Sequence, residues 1–471
     1  MQFRKLQDVL EEGIGYHQKA MDDHTLLRQE RMELYRKAEY CYDHVLSYQP
    51  EAPITLSNLG ALYAELGRYG VAIALITRAY ELDPSWDNLN ALGAAYRRAQ
   101  NIEKAREILK KALEMEPNSK ITLHNLSGCY INEGQPEEAM KYALLALEQD
   151  PDNPNFALNA GFAQLEMGIF DKGWDNYDKG RAHTTWAART YNPEKIPHWN
   201  GEHGKNVIVY GEQGVGDEIL FSSCIPDLLK ISKSVIIDCH PRLTDIMKRS
   251  FPQCTVHGTR KEEFISWDPI AEGADCKVPV GSLPRFFRRS LADFPKVANY
   301  ITPDPEQVKV YKKHGFRVGL SWAGGTKMTN VMHRSINPED LGPLLNVPGI
   351  DWVSLQYTNN ADLEVEKMRQ LYGCNIEHDN EMNADLNKLF GCIAGLDLIV
   401  TVCTSVVHFA GAMNKKALVM TPIRSAWRYM VRPMPWYPQH ELIVQQRDGE
   451  WAEVLETIGD KLEAMTRARA A

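Results

Sequence analysis

The nine cysteines of this 471-residue chain form no CxxC pair, and their spacing to the histidines matches no zinc site. An odd, scattered set fits free thiols in a reducing compartment, so a cytoplasmic protein is expected. The N-terminal stretch MQFRKLQDVLEEG is charged and lacks the apolar core of a signal peptide. Long hydrophobic runs are missing too. The most apolar stretch, Leu396 to Met413, carries Asp397 and His408 and is interrupted by Cys403-Thr404-Ser405, which reads as strand, turn and helix rather than a membrane span. An excess of basic charge is also absent: the net charge of −9 argues against a general nucleic-acid binder and leaves only local clusters such as RFFRR at 285–289. The 44% hydrophobic and 24% charged residues are those of a folded globular chain, and the length asks for two or three domains.

What is present is periodic. Pro50, Pro84, Pro117 and Pro151 stand 34, 33 and 34 residues apart. Between them Gly60, Gly93, Gly128 and Gly161 recur, as do Tyr63, Tyr96 and Tyr130, and Ala72, Ala105 and Ala139. A period of about 34 residues is that of a tetratricopeptide-type repeat, one stacked helix pair per unit. The small residues let the two helices approach, and each proline sits at the turn into the next unit, where a missing N–H costs little. Residues 1–180 are read as this all-α solenoid, with clear repeats over about 52–180, a less regular pair from near Met32 and a charged helical cap before it. Such arrays dock partners more often than they catalyse, and homo-oligomerisation is their other common use.

Residues 181–204 lose the period and form a linker whose Trp186 and Trp199 point to packing against something. From Lys205 short apolar strands alternate with helices: NVIVYG (206–211), SVIIDC (234–239) and CTVHG (254–258), then, after a pause near 299–305, RVGLSWAG (317–324), DWVSLQY (351–357), DLIVTV (397–402), KALVMTP (416–422) and ELIVQQ (441–446). Two βα sets, 205–305 and 306–471, imply two Rossmann-like halves with parallel sheets, facing across a cleft.

Three turns in these halves have the composition of a site. Gly211 to Glu218 (GEQGVGDE) follows the first strand and opens a helix, a place for an anion or a polar group. A dinucleotide fingerprint is the rival: it needs a glycine at Ile219, although Asp238 ends the next strand where a ribose-binding acid belongs. Asp217 also fits an acid stabilised by the helix dipole. In the second half, Thr404 and Ser405 start a helix after an apolar strand, which suits either a phosphate cradle or an ordinary N-cap. His408, one turn further on, is either a core residue or a ligand contact. The Gly-rich loop after Trp322 carries Lys327 and Arg334, which would neutralise a diphosphate or merely be solvated.

Taken together, GEQGVGDEILFSSCIPDL (211–228), GLSWAGGTKMTNVMHRSI (319–336), WVSLQY (352–357), TVCTSVVHFAGAMNK (401–415) and WRYMVRPMPWYP (427–438) resemble the heptosyltransferase-like glycosyltransferases of family nine, with GT-B architecture, in the form fused to tetratricopeptide repeats. The resemblance covers about the last 265 residues. It implies an α + α/β protein that takes a nucleotide-diphosphate sugar as donor and needs no cofactor and no metal, in keeping with the lack of a DxD-like motif. Asp217 then stands where the family has its general base, within an acceptor-side loop of Gly214, Gly216 and Glu218. Arg334 and Lys327 fall where the donor phosphates are held, Thr404, Ser405 and His408 at the diphosphate-binding helix, and Gln356 and Tyr357 near the base or ribose. Cys403 departs from the family's usual Asp, which leaves the donor open and favours a degenerate, non-catalytic scaffold as one alternative. The layout also resembles the tetratricopeptide-containing protein O-glycosyltransferases, flagellin glycosyltransferases among them, which implies a protein acceptor docked on the repeats. Hydroxymethylated DNA, a glycan or a lipid are the other acceptors.

Overall fold

The computed structural model describes residues 5–23, 26, 28–181, 196–259, 267–270, 272–324, 331–382 and 384–470. They fall into two compact units, Met1–Gln164 with Asp175–Thr185, and Leu165–Trp174 with Trp186–Ala471.

The first unit is a succession of helix pairs: α1 (Leu6–Asp22) and α2 (Arg28–Tyr48), α3 (Pro53–Glu65) and α4 (Tyr69–Leu82), α5 (Trp86–Arg98) and α6 (Ile102–Met115), α7 (Lys120–Glu133) and α8 (Pro136–Gln149), then α9 (Pro154–Glu166) and α10 (Phe170–Arg181). Each periodic proline lies two or three residues ahead of the first helix of a pair. Side-chain caps start several of these helices: Ser85, Asn101 and Ser119 accept from Asn88, Lys104 and Thr122 N–H, and Asn153 accepts from Asn155 and Phe156 N–H. The recurrent alanines Ala72, Ala105 and Ala139 are wholly buried between helices. At Gly161 a Cβ would lie 2.5 Å from the backbone N of Tyr177, so only glycine lets α9 and α10 close to this distance. The N-terminal stretch differs from its expected form. It is no separate cap with a pair starting at Met32, because α1 and α2 pair with each other around Val9, Leu10, Tyr35, Tyr42 and Val45.

The second unit holds two parallel sheets. The first half runs β1 (Asn206–Tyr210), α11 (Val215–Phe221), α12 (Ile225–Ile231), β2 (Ser234–Cys239), α13 (Thr244–Ser250), β3 (Thr255–Gly258), β4 (Cys276–Pro279) and the short α14 (Pro284–Phe287), in strand order β3-β2-β1-β4. The second runs α15 (Pro305–Tyr311), β5 (Phe316–Ser321), α16 (Gly342–Leu345), β6 (Ile350–Ser354), α17 (Ala361–Tyr372), β7 (Ile376–Glu377), α18 (Leu386–Gly395), β8 (Leu398–Val402), α19 (Ser405–Ala412), β9 (Ala417–Thr421), β10 (Glu441–Val444) and α20 (Ala452–Ala470), in order β10-β9-β8-β5-β6-β7. The architecture is thus the expected one, a helical repeat array with two Rossmann-like halves after it. Val318, Leu320, Val400, Val402, Leu418 and Met420 form one side of the second half's core, and α20 covers it with Val454, Leu455, Ile458 and Leu462. Strand order reverses beside β1 in the first sheet and between β5 and β8 in the second, and ligands of open α/β sheets bind at the carboxyl side of such switch points.

The helix that opens after the first Gly-rich turn is interrupted by a 3-10 turn at Ser222–Cys224, between α11 and α12, and Pro226 in the first turn of α12 has no N–H to carry the ladder across it. The linker's end is ordered by the first sheet: His198 bridges Lys277 of β4, and the Trp199 ring packs on Phe286 at 4.5 Å. Residues 165–174 also serve this unit. Phe170 meets Phe294 at 4.9 Å, and Trp174, 1% exposed, meets Trp427 at 5.4 Å, Trp436 at 6.0 Å and Phe221 at 6.4 Å. Its indole N–H donates to the Arg288 carbonyl at 2.8 Å.

Candidate functional site

Between the two halves lies a cavity of about 480 Å3 at the carboxyl edges of both sheets, within the usual size range of small-molecule sites. From the first half it is lined by Gly214, Gly216, Asp217 and Arg242, and from the second by Arg334, Tyr357, Thr404, Ser405, His408 and Arg428, among others. Segments nearly 200 residues apart in sequence therefore share one wall. At Gly216 the two walls come close together. A Cβ there would stand 3.1 Å from the Cβ of Ser405 and 3.3 Å from the His408 ring, so the absence of a side chain lets α11 and α19 meet at their N-terminal ends.

Asp217 lies in the first turn of α11, two residues into the helix after Gly214 as N-cap. Its Oδ1 accepts from Arg428 Nη2 at 2.5 Å, with the two side chains 24% and 18% exposed. An ion pair sheltered to this degree is screened less than a surface pair. Arg334 ends a 3-10 turn and donates through Nη1 to the Cys403 carbonyl at 3.1 Å, which holds it at the mouth of the β8–α19 turn. Thr404 is the N-cap of α19, and its Oγ1 accepts from the Val406 N–H at 3.3 Å. Ser405 follows as the first helical residue on the cavity wall. His408 is 4% exposed. Its Nε2 shares a proton with the Tyr429 hydroxyl at 3.2 Å, and its Nδ1 has no partner among the described residues. Burial, reinforced by the charge of Arg428, keeps this imidazole neutral, far below the ordinary histidine range.

The Cys403 side chain takes no part in this cation contact. Its Sγ lies 4.0 Å from the Met420 carbonyl of β9, and burial pushes the thiol up to about 12, so it carries no charge. The contact with Arg334 is made by its backbone.

Two expected site residues stand off the cavity wall. Gln356 is 1% exposed and ties the end of β5 together: its Oε1 accepts from Trp322 N–H and Ala323 N–H, each at 3.0 Å, and its Nε2 donates to the Ala323 carbonyl at 2.8 Å. Glu218 is 3% exposed and accepts from the His240 N–H at 2.9 Å, which fastens α11 to the end of β2. Lys327 and Trp186 lie outside the described residues. Asp238, the acid of the dinucleotide alternative, is wholly buried and so out of a ribose's reach. The RFFRR cluster is partly taken up by the fold: Arg288, 2% exposed, pairs with Asp227 at 2.8 Å, Arg289 pairs with Asp171 at the surface, the two phenylalanines pack on Trp199, and Arg285 is exposed.

Sequence reasoning missed Arg242, Arg428 and the apolar wall of Leu386, Leu389 and Phe409. Arg242 follows β2 at the carboxyl edge of the sheet, which was a usable signal. Arg428 lies inside the tryptophan-rich segment and had none of its own. Among the described residues no group of three or more His, Cys, Asp or Glu could hold a metal ion, and no helix is long and apolar enough to cross a membrane.

Residues 96–160 and 27–85 match tetratricopeptide repeat families. The helix pairs of the first unit are tetratricopeptide repeats. Over 462 residues the chain is 24% identical to protein FlbA of Caulobacter vibrioides, covering 92% of this chain and 76% of FlbA. Among solved structures, a mutant O-GlcNAc transferase of Thermobaculum terrenum aligns with 99% of this chain and 93% of its own, at 14% identity and a TM-score of 0.39. A thermophilic tetratricopeptide protein of Thermus thermophilus aligns with 38% of this chain and 91% of its own, at 19% identity and a TM-score of 0.33.

Proposed function

We propose that the chain is a glycosyltransferase that moves a sugar from a nucleoside-diphosphate donor to a hydroxyl acceptor presented by a protein on the repeat array. The observation that carries the reading is the meeting, across one cavity, of a carboxylate from the first half with cationic and hydroxyl groups from the second, Asp217 against Arg334, Thr404 and Ser405. A diphosphate seated at the start of α19 gains the helix's N–H groups and a guanidinium. Tyr357, 40% exposed on the same wall, offers a ring to the nucleoside. In the step itself the acceptor O–H gives its proton to Asp217 and the oxygen forms a bond to the anomeric carbon. The bond from that carbon to the phosphate oxygen breaks, and its electron pair leaves with the nucleoside diphosphate. Arg334 stabilises the charge that gathers on the leaving group.

The order and spacing of the five heptosyltransferase-like segments support the same reading. The full chain, incubated with a panel of nucleotide sugars, is expected to release one nucleoside diphosphate, and Asp217→Asn and Arg334→Ala should each suppress that release. Release by neither the wild type nor any pairing with a protein acceptor would sink the proposal.

A further inference from the structure

We propose that Arg428 is an exchange cation, holding Asp217 while the cavity is empty of donor and passing to the donor's diphosphate when it binds, so that the base is released only in the donor-loaded protein. This rests on the donor-site reading above and adds a switch to it.

The geometry has two parts. The guanidinium reaches Asp217 Oδ1 at 2.5 Å and also lines the cavity that holds Arg334 and Ser405. The backbone that carries it is fixed on both sides. Arg428 is the middle residue of the 3-10 turn Trp427–Tyr429, the Trp427 ring stacks on Phe221 of α11 at 6.4 Å, and the Tyr429 hydroxyl meets His408 Nε2 at 3.2 Å. With the turn pinned, the long arginine side chain is the part that can turn.

The chemistry follows from what each partner offers. A carboxylate oxygen engaged by a guanidinium has its lone pair committed and cannot at the same time take the hydrogen bond of an acceptor hydroxyl there. A diphosphate carries more charge than one carboxylate and presents paired oxygens that match the guanidinium fork. When both compete for one arginine in the same cavity, the diphosphate wins and Asp217 is left to face the acceptor hydroxyl. No bond is made or broken in the exchange. Deprotonation of the acceptor is thereby confined to complexes that already hold a donor.

Competition has a thermodynamic signature that runs against the usual effect of damaging a site. Titration calorimetry of the full chain with UDP, ADP, GDP, CDP and dTDP identifies the nucleoside diphosphate that binds. Asp217→Asn should then bind that nucleoside diphosphate more tightly, by about fivefold or more, because the arginine no longer has to leave a carboxylate. Arg428→Ala should bind it more weakly. In the Arg428→Ala background, Asp217→Asn should bring little further change. Arg428→Gln, which keeps the aliphatic stem and a polar end without the charge, replaces Arg428→Ala if thermal melting shows that the latter is unfolded. Equal tightening with and without Arg428 would reduce the effect to simple charge repulsion and overturn the exchange. Unchanged or weaker binding by Asp217→Asn, with wild-type binding intact, would overturn the exchange and leave the donor site standing. Failure of the wild type to bind any of the five would overturn both.

Discussion

Arg428 and Asp217 stand 211 positions apart in the chain, on opposite halves of the α/β unit, and meet at 2.5 Å. The pair turns a cleft between two sheets into a site with a defined charge pattern, and the consequences can be measured separately.

Asp217→Asn should cost about 100-fold or more in turnover, the usual loss on removing a general base, with no rise in the donor's KM. Steady-state rates at saturating donor give the answer. Near-normal turnover would leave Asp217 as no more than a favourable acid in the first turn of α11.

Arg334→Ala should weaken nucleoside-diphosphate binding by about tenfold to a hundredfold, the effect of losing a charge-assisted contact. Ser405→Ala should cost less, since the backbone N–H groups at the start of α19 remain. Calorimetric affinities that do not change in Arg334→Ala would rule out the cradle.

Gln356 behaves differently in this structure from a donor contact. Gln356→Ala strands the N–H groups of Trp322 and Ala323 at the end of β5, and each buried group left unpaired costs about 1–3 kcal/mol. A lower urea midpoint is expected, with diphosphate affinity within about threefold of wild type in the protein that remains folded. An affinity loss as large as that of Arg334→Ala, without loss of stability, would return Gln356 to the donor site.

A cut at the end of the sequence repeats should fail where an earlier one succeeds. A fragment starting at residue 165 keeps Phe170 and Trp174, whereas one starting at 182 removes both from the cluster of Phe221, Phe294, Trp427 and Trp436. The longer fragment should unfold cooperatively and bind the nucleoside diphosphate. The shorter should bind hydrophobic dye and melt without a sharp transition. Equal melting of the two would show that the aromatic strap is dispensable.

Acid should destabilise the chain before its carboxylates titrate. Burial lowers His17 and His440 to about 4 and His408 further still. These groups are neutral when folded, so the unfolded chain takes up more protons below its own histidine pKa. Their contribution is intact above about pH 6.5 and is lost as the pH falls from there. Between pH 6.5 and 5 the loss is roughly 1–2 kcal/mol for each histidine. A urea midpoint that stays level over that window would contradict the burial of these rings.

Much of the architecture was legible because it is periodic. Prolines at a fixed interval mark the repeat turns, and strands as apolar as LIVTV stand out between polar turns. The strands that escaped notice were short or mixed: β4 is the four-residue CKVP with a lysine and a proline, and β7 has two residues. At the site, glycine and hydroxyl-rich turns were readable since backbone geometry demands them. Arg428 was hidden, because only the packing of its turn against α11 brings it to Asp217. Gln356 and Glu218 were placed at the site by the family resemblance alone. In the fold Gln356 bonds the Trp322 and Ala323 main chain and Glu218 accepts from the His240 N–H.

Trp174 also bears on the order of synthesis. It leaves the ribosome early, among the last repeat helices, yet Trp427 and Trp436, which enclose it, follow roughly 250 residues later, about 12–50 s at ordinary translation rates. For that interval a large indole and the nearby Phe170 have no final resting place. The repeats can assemble pair by pair as they emerge, while the α/β part waits for its closing segment before its oldest piece is covered. Nascent chains halted between residues 181 and 427 are therefore the ones that chaperones should hold longest.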